Sequence, residues 1–88
     1  MAIQDCLDCK RDTYKLREYY MVTNRTWRKA NPAETGMLCI GCLEKRLGRK
    51  LDQFKDFIWC PLNVWNVFHG SERLKDRIGA KFVFDFGL

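Results

Sequence analysis

The chain has little histidine, little proline and no long apolar run: it carries one histidine and two prolines in 88 residues. The longest apolar stretch lies around residues 57–65, where Pro61 and Asn63 interrupt it well short of the ~20 residues that a membrane helix needs. The first residues do not combine a basic segment with an apolar one, so no signal peptide is expected. The sequence therefore predicts a cytoplasmic protein that has no transmembrane segment.

A chain of 88 residues predicts one domain. A domain this small usually needs disulfides or a structural metal ion in addition to its hydrophobic core. Its five cysteines are too few for a disulfide scaffold. Cys60, between Trp59 and Pro61, has no neighbour that would lower its pKa, and we expect it to be a buried, unreactive thiol. The other cysteines form two Cys-x-x-Cys pairs, Cys6 with Cys9 and Cys39 with Cys42.

Two chelating pairs of thiolates suit one tetrahedral zinc ion and leave no coordination position open. The gap of 29 residues between the pairs is longer than the about 15 to 20 of the commonest zinc-ribbon spacing. Thiol exchange and an iron–sulfur cluster are the alternatives, but a redox protein needs only one such pair. We predict one structural zinc ion on Cys6, Cys9, Cys39 and Cys42. Four thiolates and one zinc ion add −2, so the formal charge of +5 becomes +3.

The residues between and after the pairs predict both strands and helices. Residues 16–23 are rich in aromatic and β-branched side chains and favour a strand in a hairpin. Asn24 is a candidate N-cap for a short helix that ends before Pro32. A further helix should begin near Gly41 and end near Gly48, and Leu43, Leu47 and Leu51 would form its buried stripe.

The C-terminal part predicts a helix followed by a strand. Ser71 is the candidate N-cap, Leu74 and Ile78 lie on one face, and Gly79 is the expected stop. Residues 82–86 alternate phenylalanine with other residues, which is typical of a strand that has one aromatic face. We expect Pro61 only to end the segment that precedes it.

The arrangement of the two cysteine pairs resembles the treble-clef zinc finger, in which one pair precedes a β-hairpin and the last ligand lies in the first turn of a helix. The chain is also similar to a group of small uncharacterised zinc-binding proteins of bacteria and phages. The residues that carry this similarity are Tyr20-Met21-Val22, Trp27 and Leu38-Cys39-Ile40-Gly41-Cys42-Leu43-Glu44, continued by Arg46-Leu47-Gly48-Arg49 and Leu51. The likeness covers about two-thirds of the chain, from residue 6 to residue 63. It implies a fold, a metal and a bacterial or phage origin, but no activity.

The expected architecture is therefore α+β, a zinc-stabilised treble clef of one β-hairpin and one helix with a C-terminal helix and a terminal strand. Residues 1–57 would form the treble-clef core of the single domain, and residues 58–88 would extend it.

An HNH-like nuclease is the enzyme hypothesis that such a fold invites. Those nucleases need a histidine base and further polar metal ligands, some of them on the helix after the second cysteine pair. Residues 40–51 contain no histidine, asparagine or aspartate, and His69 lies far downstream. No glycine-rich phosphate loop is present either. We therefore predict a non-enzymatic adaptor or regulatory protein.

Two kinds of partner agree with the sequence. Cations around the predicted zinc-finger helix could neutralise phosphates while Tyr14, Tyr19 or Trp27 stacks on bases, which favours nucleic-acid binding. The cations chosen are Lys10, Arg11, Arg28, Lys45, Arg46 and Arg49. The alternative is a protein-binding module or an inhibitor of a host protein, because the tail is rich in tryptophan and phenylalanine. Solvated helix faces also carry such charges, and both hypotheses stay open at this point.

Overall fold

Four short helices, joined by turns and extended segments, form the fold in the computed structural model, which describes residues 4–79. They are α1 (Asn24–Ala30), α2 (Ile40–Leu47), α3 (Pro61–His69) and α4 (Glu72–Ile78). The α3 helix packs against α4, and α1 packs against α2. Within the described residues, β pairing is limited to isolated bridges of Asp5 with Asp12, Cys6 with Met37 and Val22 with Phe57.

The predicted α+β fold with its β-hairpin is wrong, because the described part of the chain is mostly helical and has no sheet. Two buried asparagines of α3 replace the partner strand. The Asn63 side chain accepts from the Met21 backbone N at 3.0 Å and donates to the Met21 carbonyl at 2.7 Å. Asn66 Nδ2 donates to the Tyr19 carbonyl at 2.8 Å. These amides use the backbone groups that a hairpin would have paired, and residues 13–17 form turns.

The expected helix ends are largely confirmed. The α2 helix begins at Ile40 and ends at Gly48, whose φ of 74° places it in the left-handed region that favours glycine. Ser71 caps α4 by accepting from the Leu74 backbone N, and Gly79 ends that helix. The cap of α1 is one residue earlier than expected, since the Thr23 hydroxyl accepts from Thr26 N at 3.2 Å.

The α3 helix was missed by the sequence analysis. Pro61 occupies its first turn, where the missing N–H is not needed and the fixed φ suits a helix. The fully buried residues of α3 are Asn63 and Asn66, while Val64 and Val67 are only partly buried, so the apolar periodicity typical of a buried helix face is weak.

The core takes most of its fully buried side chains from α2, α4 and the segment before α2. Leu38, Ile40, Leu43, Leu74 and Ile78 are fully buried. Leu43 of α2 is buried and Leu47 packs at the edge of the core, as expected; Leu51, the third leucine of the predicted stripe, is also buried but lies beyond the end of α2. The predicted strand at residues 82–86 lies outside the described residues.

Arginine–carboxylate pairs fasten the loops to this core. Asp56 is 1% exposed, and it accepts from both Arg49 terminal nitrogens, at 2.7 and 2.9 Å, and from the Thr26 hydroxyl at 2.7 Å. Burial alone would raise the pKa of Asp56, but Arg49, the Asp52 N–H and Thr26 lower it to about 2. Glu44 joins α2 to Arg77 of α4 in the same way. No helix within residues 4–79 has the length and apolar character to cross a bilayer.

Replacing Asn63 by alanine should therefore destabilise the fold strongly. The change removes three hydrogen bonds to the backbone of Met21 and Ile58 and leaves buried polar groups unpaired. We expect a loss of about 3 kcal/mol in the free energy of unfolding, measured by denaturant titration. Asn24→Ala, at an exposed position of α1, is the control and should cost less than about 0.5 kcal/mol. Equal losses in the two variants would contradict the role given to Asn63.

Candidate metal centre

The four cysteines of the two pairs converge on one point. The sulfur atoms of Cys6, Cys9, Cys39 and Cys42 all lie within 4.8 Å of one another. The Cys9 and Cys39 sulfurs are 3.8 Å apart. Zinc–sulfur bonds of ~2.3 Å to a tetrahedral ion would separate two thiolates by about 3.8 Å. None of the five cysteines forms a disulfide. The cluster can therefore hold a metal ion, and its size fits a tetrahedral ion bound by sulfur.

The first pair is held by a tight turn. The Lys10 backbone N donates to the Cys6 carbonyl at 2.9 Å, and Lys10 itself has a φ of 67°. The Leu7 backbone N donates to the Met37 carbonyl at 2.8 Å, which anchors the turn beside the second pair. The Cys9 N–H points at the Cys6 sulfur at 3.5 Å. Such N–H groups stabilise a thiolate and fix its direction.

The second pair sits at the start of α2. Cys39 is the N-cap residue, and Cys42 lies in the first turn of the helix. Cys6 and Cys39 are buried, Cys42 is half-buried and Cys9 is exposed. A bound ion would therefore be covered by the core on one side and lie near the surface on the side of Cys9 and Cys42.

The thiols differ in how readily they lose a proton. Burial raises the pKa of Cys6, but hydrogen bonds from the backbone of Cys9, Cys39 and Asp8 outweigh it and bring the value to about 6. Burial raises the pKa of Cys39 and of Cys42, and the nearby Cys6 thiol adds to the rise in both. Metal binding to such a cluster displaces protons, because the ligands are thiolates.

A buried carboxylate and an arginine connect the cluster to α4. Glu18 is 3% exposed and accepts from the Ile40 backbone N at 3.1 Å, at the start of α2. It also accepts from the Ser71 hydroxyl at 2.8 Å and from two nitrogens of Arg73, at 3.0 and 2.7 Å. A Cβ at Gly41 would lie 2.5 Å from Arg73 Nη1, so a larger residue there would displace the arginine from this position. Glu18 raises the pKa of Arg73 most, and the Cys39 thiolate adds to that rise.

Arg73 therefore places a cation beside a cluster that carries −2 when four thiolates hold a divalent ion. Sequence analysis missed Glu18 and Arg73, since nothing in their spacing links residues 18 and 73. Gly41 inside the second pair was the one local sign that another group approaches the metal ligands closely.

Three of the six predicted partner-binding cations are paired with carboxylates within residues 4–79. Arg46 forms a two-pronged pair with Asp8, at 2.9 and 2.6 Å. Arg49 pairs with Asp56, and Arg28 pairs with Glu34 at 2.9 Å. Lys10 donates to the Leu7 carbonyl, Arg11 is exposed, and Lys45 lines a shallow cleft with Cys9 and Cys42. The three arginines already serve the fold, as does Arg77, which pairs with Glu44 and Asp76.

Loss of one ligand should remove the metal and the fold together. Purified protein should contain one zinc ion per chain by elemental analysis, and Cys39→Ser should lose it and show no cooperative thermal transition. Cys60→Ser is the matched control, because Cys60 is the N-cap of α3 and makes no cap hydrogen bond. Serine can supply that bond, so this variant should keep its zinc and be unchanged or more stable by about 0.5 kcal/mol. A Cys39→Ser variant that melts like the parent would contradict the assignment.

Removal of the Arg73 charge should weaken metal binding. Arg73→Gln loses the cation beside the thiolates and the partner of Glu18, and we expect zinc affinity to fall about 10- to 100-fold. Competition with a chromogenic chelator measures the affinity. Lys75→Gln, on the same helix, removes a charge whose only salt bridge within residues 4–79 is a loose one to Glu72 at 3.7 Å, and should leave affinity unchanged. Equal zinc affinities in the Arg73→Gln and Lys75→Gln variants would show that Arg73 does not contribute to metal binding.

Comparison with known proteins adds no independent assignment: no family model, no curated protein and no solved structure matches the chain. The conclusion on function rests on the residues and their geometry.

Proposed function

We propose that the protein is a non-enzymatic, zinc-stabilised module that binds nucleic acid through its phosphates. Zinc is the metal that four thiolates without an additional oxygen or nitrogen ligand favour, and iron–sulfur chemistry is the alternative that elemental analysis separates. Four cysteine ligands fill a tetrahedral site and leave no position for a substrate or an activated water. This closed site supports a structural role for the metal.

One cleft carries the proposal. It has a volume of about 520 Å³ and lies between α1, the end of α2 and the turn at residues 52–56. Its lining includes Arg25, Lys29, Arg49 and Lys55, together with Thr23, Thr26 and Asp56. Arg25, Lys29 and Lys55 form no salt bridge with any residue in the range 4–79, whereas Arg49 neutralises Asp56. The cleft therefore concentrates positive charge that the fold itself does not use.

Phosphate groups are the ligands that this surface would suit. Arg25 and Lys29 are four residues apart on α1, so both project from the same side of that helix. The Thr23 hydroxyl caps α1 and the Thr26 hydroxyl donates to Asp56. The hydrogen-bond donors of the cleft that remain for a ligand are therefore those of the cations Arg25, Lys29 and Lys55. Lysine and arginine without carboxylate partners gain most from an anion, and they release counterions from nucleic acid when they bind.

Exposed apolar side chains favour a second candidate, a protein-binding module. Several large apolar side chains are exposed to solvent, and such side chains can form part of a binding surface. Those between 46% and 57% exposed include Tyr14, Met21, Trp65 and Phe68. Aromatic residues and arginine are enriched where protein partners dock. Binding to a protein partner would depend weakly on salt, whereas binding to phosphates would depend on it steeply.

Reversal of two cleft charges should test the phosphate-binding proposal. Wild-type affinity for a short labelled oligonucleotide should fall steeply as salt rises, and Arg25→Glu with Lys29→Glu should weaken binding at least ~10-fold. The slope of log affinity against log salt should also become shallower by about 2. Fluorescence anisotropy across a salt series measures both quantities.

The matched control reverses Lys50 and Lys75, which do not line the cleft. It should retain most of the affinity and more of the salt slope than the cleft variant. Equal losses in the two double variants would show that net charge, and not the cleft, determines binding. Absence of oligonucleotide binding at low salt in the wild-type protein would contradict the proposal.

A further inference from the structure

A second cleft, distinct from the cationic one, is walled by aromatic rings. It has a volume of about 230 Å³ and is lined by Tyr14, Arg17, Tyr19, Leu62, Trp65 and Asn66. The rings of Tyr14 and Tyr19 are stacked, with centroids 4.4 Å apart and an angle of 18° between their planes. Tyr14 and Trp65 are 57% and 51% exposed. Tyr19 covers one face of Tyr14, and the His69 ring lies 4.8 Å from that of Trp65, so each ring offers only its other face to a ligand. A planar ring is the shape that such walls accept.

Asn66, which lines this cleft, carries a buried polar atom without a hydrogen-bond partner. Asn66 is 1% exposed, and its Nδ2 is committed to the Tyr19 carbonyl. Its Oδ1 is the one buried side-chain oxygen or nitrogen within residues 4–79 that has no hydrogen-bond partner. An unpaired buried acceptor costs free energy, and a ring N–H or amino group that reached it would recover that cost.

A cation completes the lining. Arg17 is exposed and forms no salt bridge with the other described residues. Its backbone is held at a φ of 58°, in the left-handed region that few arginines adopt, and its carbonyl accepts from the Ser71 backbone N at 2.8 Å. This hydrogen bond ties the Arg17 backbone to the start of α4, beside the aromatic walls.

We propose that this aromatic cleft is a base-binding pocket for single-stranded nucleic acid. One base would stack against Tyr14 or Trp65, a base N–H would meet Asn66 Oδ1, and Arg17 would contact the adjoining phosphate. Aromatic stacking tolerates every base, and each base carries at least one N–H donor, so the pocket would favour single strands without selecting one sequence. A base inside a duplex cannot stack in this way. The inference rests on the proposed function and adds the strand type to it.

The experiment separates bases from phosphates. A single-stranded DNA 12-mer of mixed sequence is compared with an abasic 12-mer of the same length and charge, by fluorescence anisotropy at one salt concentration. The wild-type protein should bind the base-containing strand at least ~10-fold more tightly than the abasic strand. Tyr14→Ala and Trp65→Ala should each reduce that ratio toward one while leaving the affinity for the abasic strand unchanged.

Phe68→Ala is the matched control, because Phe68 is 57% exposed on the same helix as Trp65 but does not line the cleft. It should keep the wild-type ratio, and zinc content and thermal melting should confirm that all variants are folded. If the wild-type protein binds both strands equally, the pocket proposal fails and phosphate binding stands. If it binds neither strand, phosphate binding itself fails. A ratio lost equally in Phe68→Ala would overturn the assignment of this cleft.

Discussion

The convergence of four thiols within 4.8 Å is the constraint on which the rest of the fold depends. Four groups that become anionic cannot stay this close without a cation to hold them. An ion bound by the four cysteines would join the turn at residues 6–10 to the start of α2. From there Glu18 continues the connection, because its carboxylate accepts from α2 at Ile40 and from α4 at Ser71 and Arg73. The cysteine cluster, which can hold a metal ion, is therefore linked to both α2 and α4.

Four of the eight arginines within residues 4–79 support this arrangement, while most lysines remain outside it. Arginine suits such pairs because its planar fork can meet both oxygens of a carboxylate. The pairs of Arg46 with Asp8, Arg49 with Asp56, Arg73 with Glu18 and Arg77 with Glu44 each join separate segments. Charge counted along the sequence thus overstates what a partner can meet. What remains includes Arg25, Lys29 and Lys55, where we propose phosphate binding.

The sequence predicted the parts of this structure that local rules determine. The ligand spacing, the leucine stripe of α2 and the caps at Gly48 and Ser71 follow from chelation, periodicity and backbone preference. The hairpin was wrong because tertiary contacts overrode strand propensity: Asn63 and Asn66 pair with the backbone of residues 19–21 from more than forty positions away. The pairing of Arg73 with Glu18 was not predicted for the same reason, since 55 positions separate the two residues. No short-range pattern contains contacts of that kind.

Hydrogen–deuterium exchange with and without a strong zinc chelator tests the central claim most directly, because it reports on each helix separately. If the metal site holds both halves of the fold, chelation should abolish protection in α4, around Leu74 and Ile78, as well as in α2 next to the cysteines. Protection that persisted in α3 and α4 after complete removal of the metal would contradict the account, since the link through Glu18 and Arg73 would then not depend on the ion.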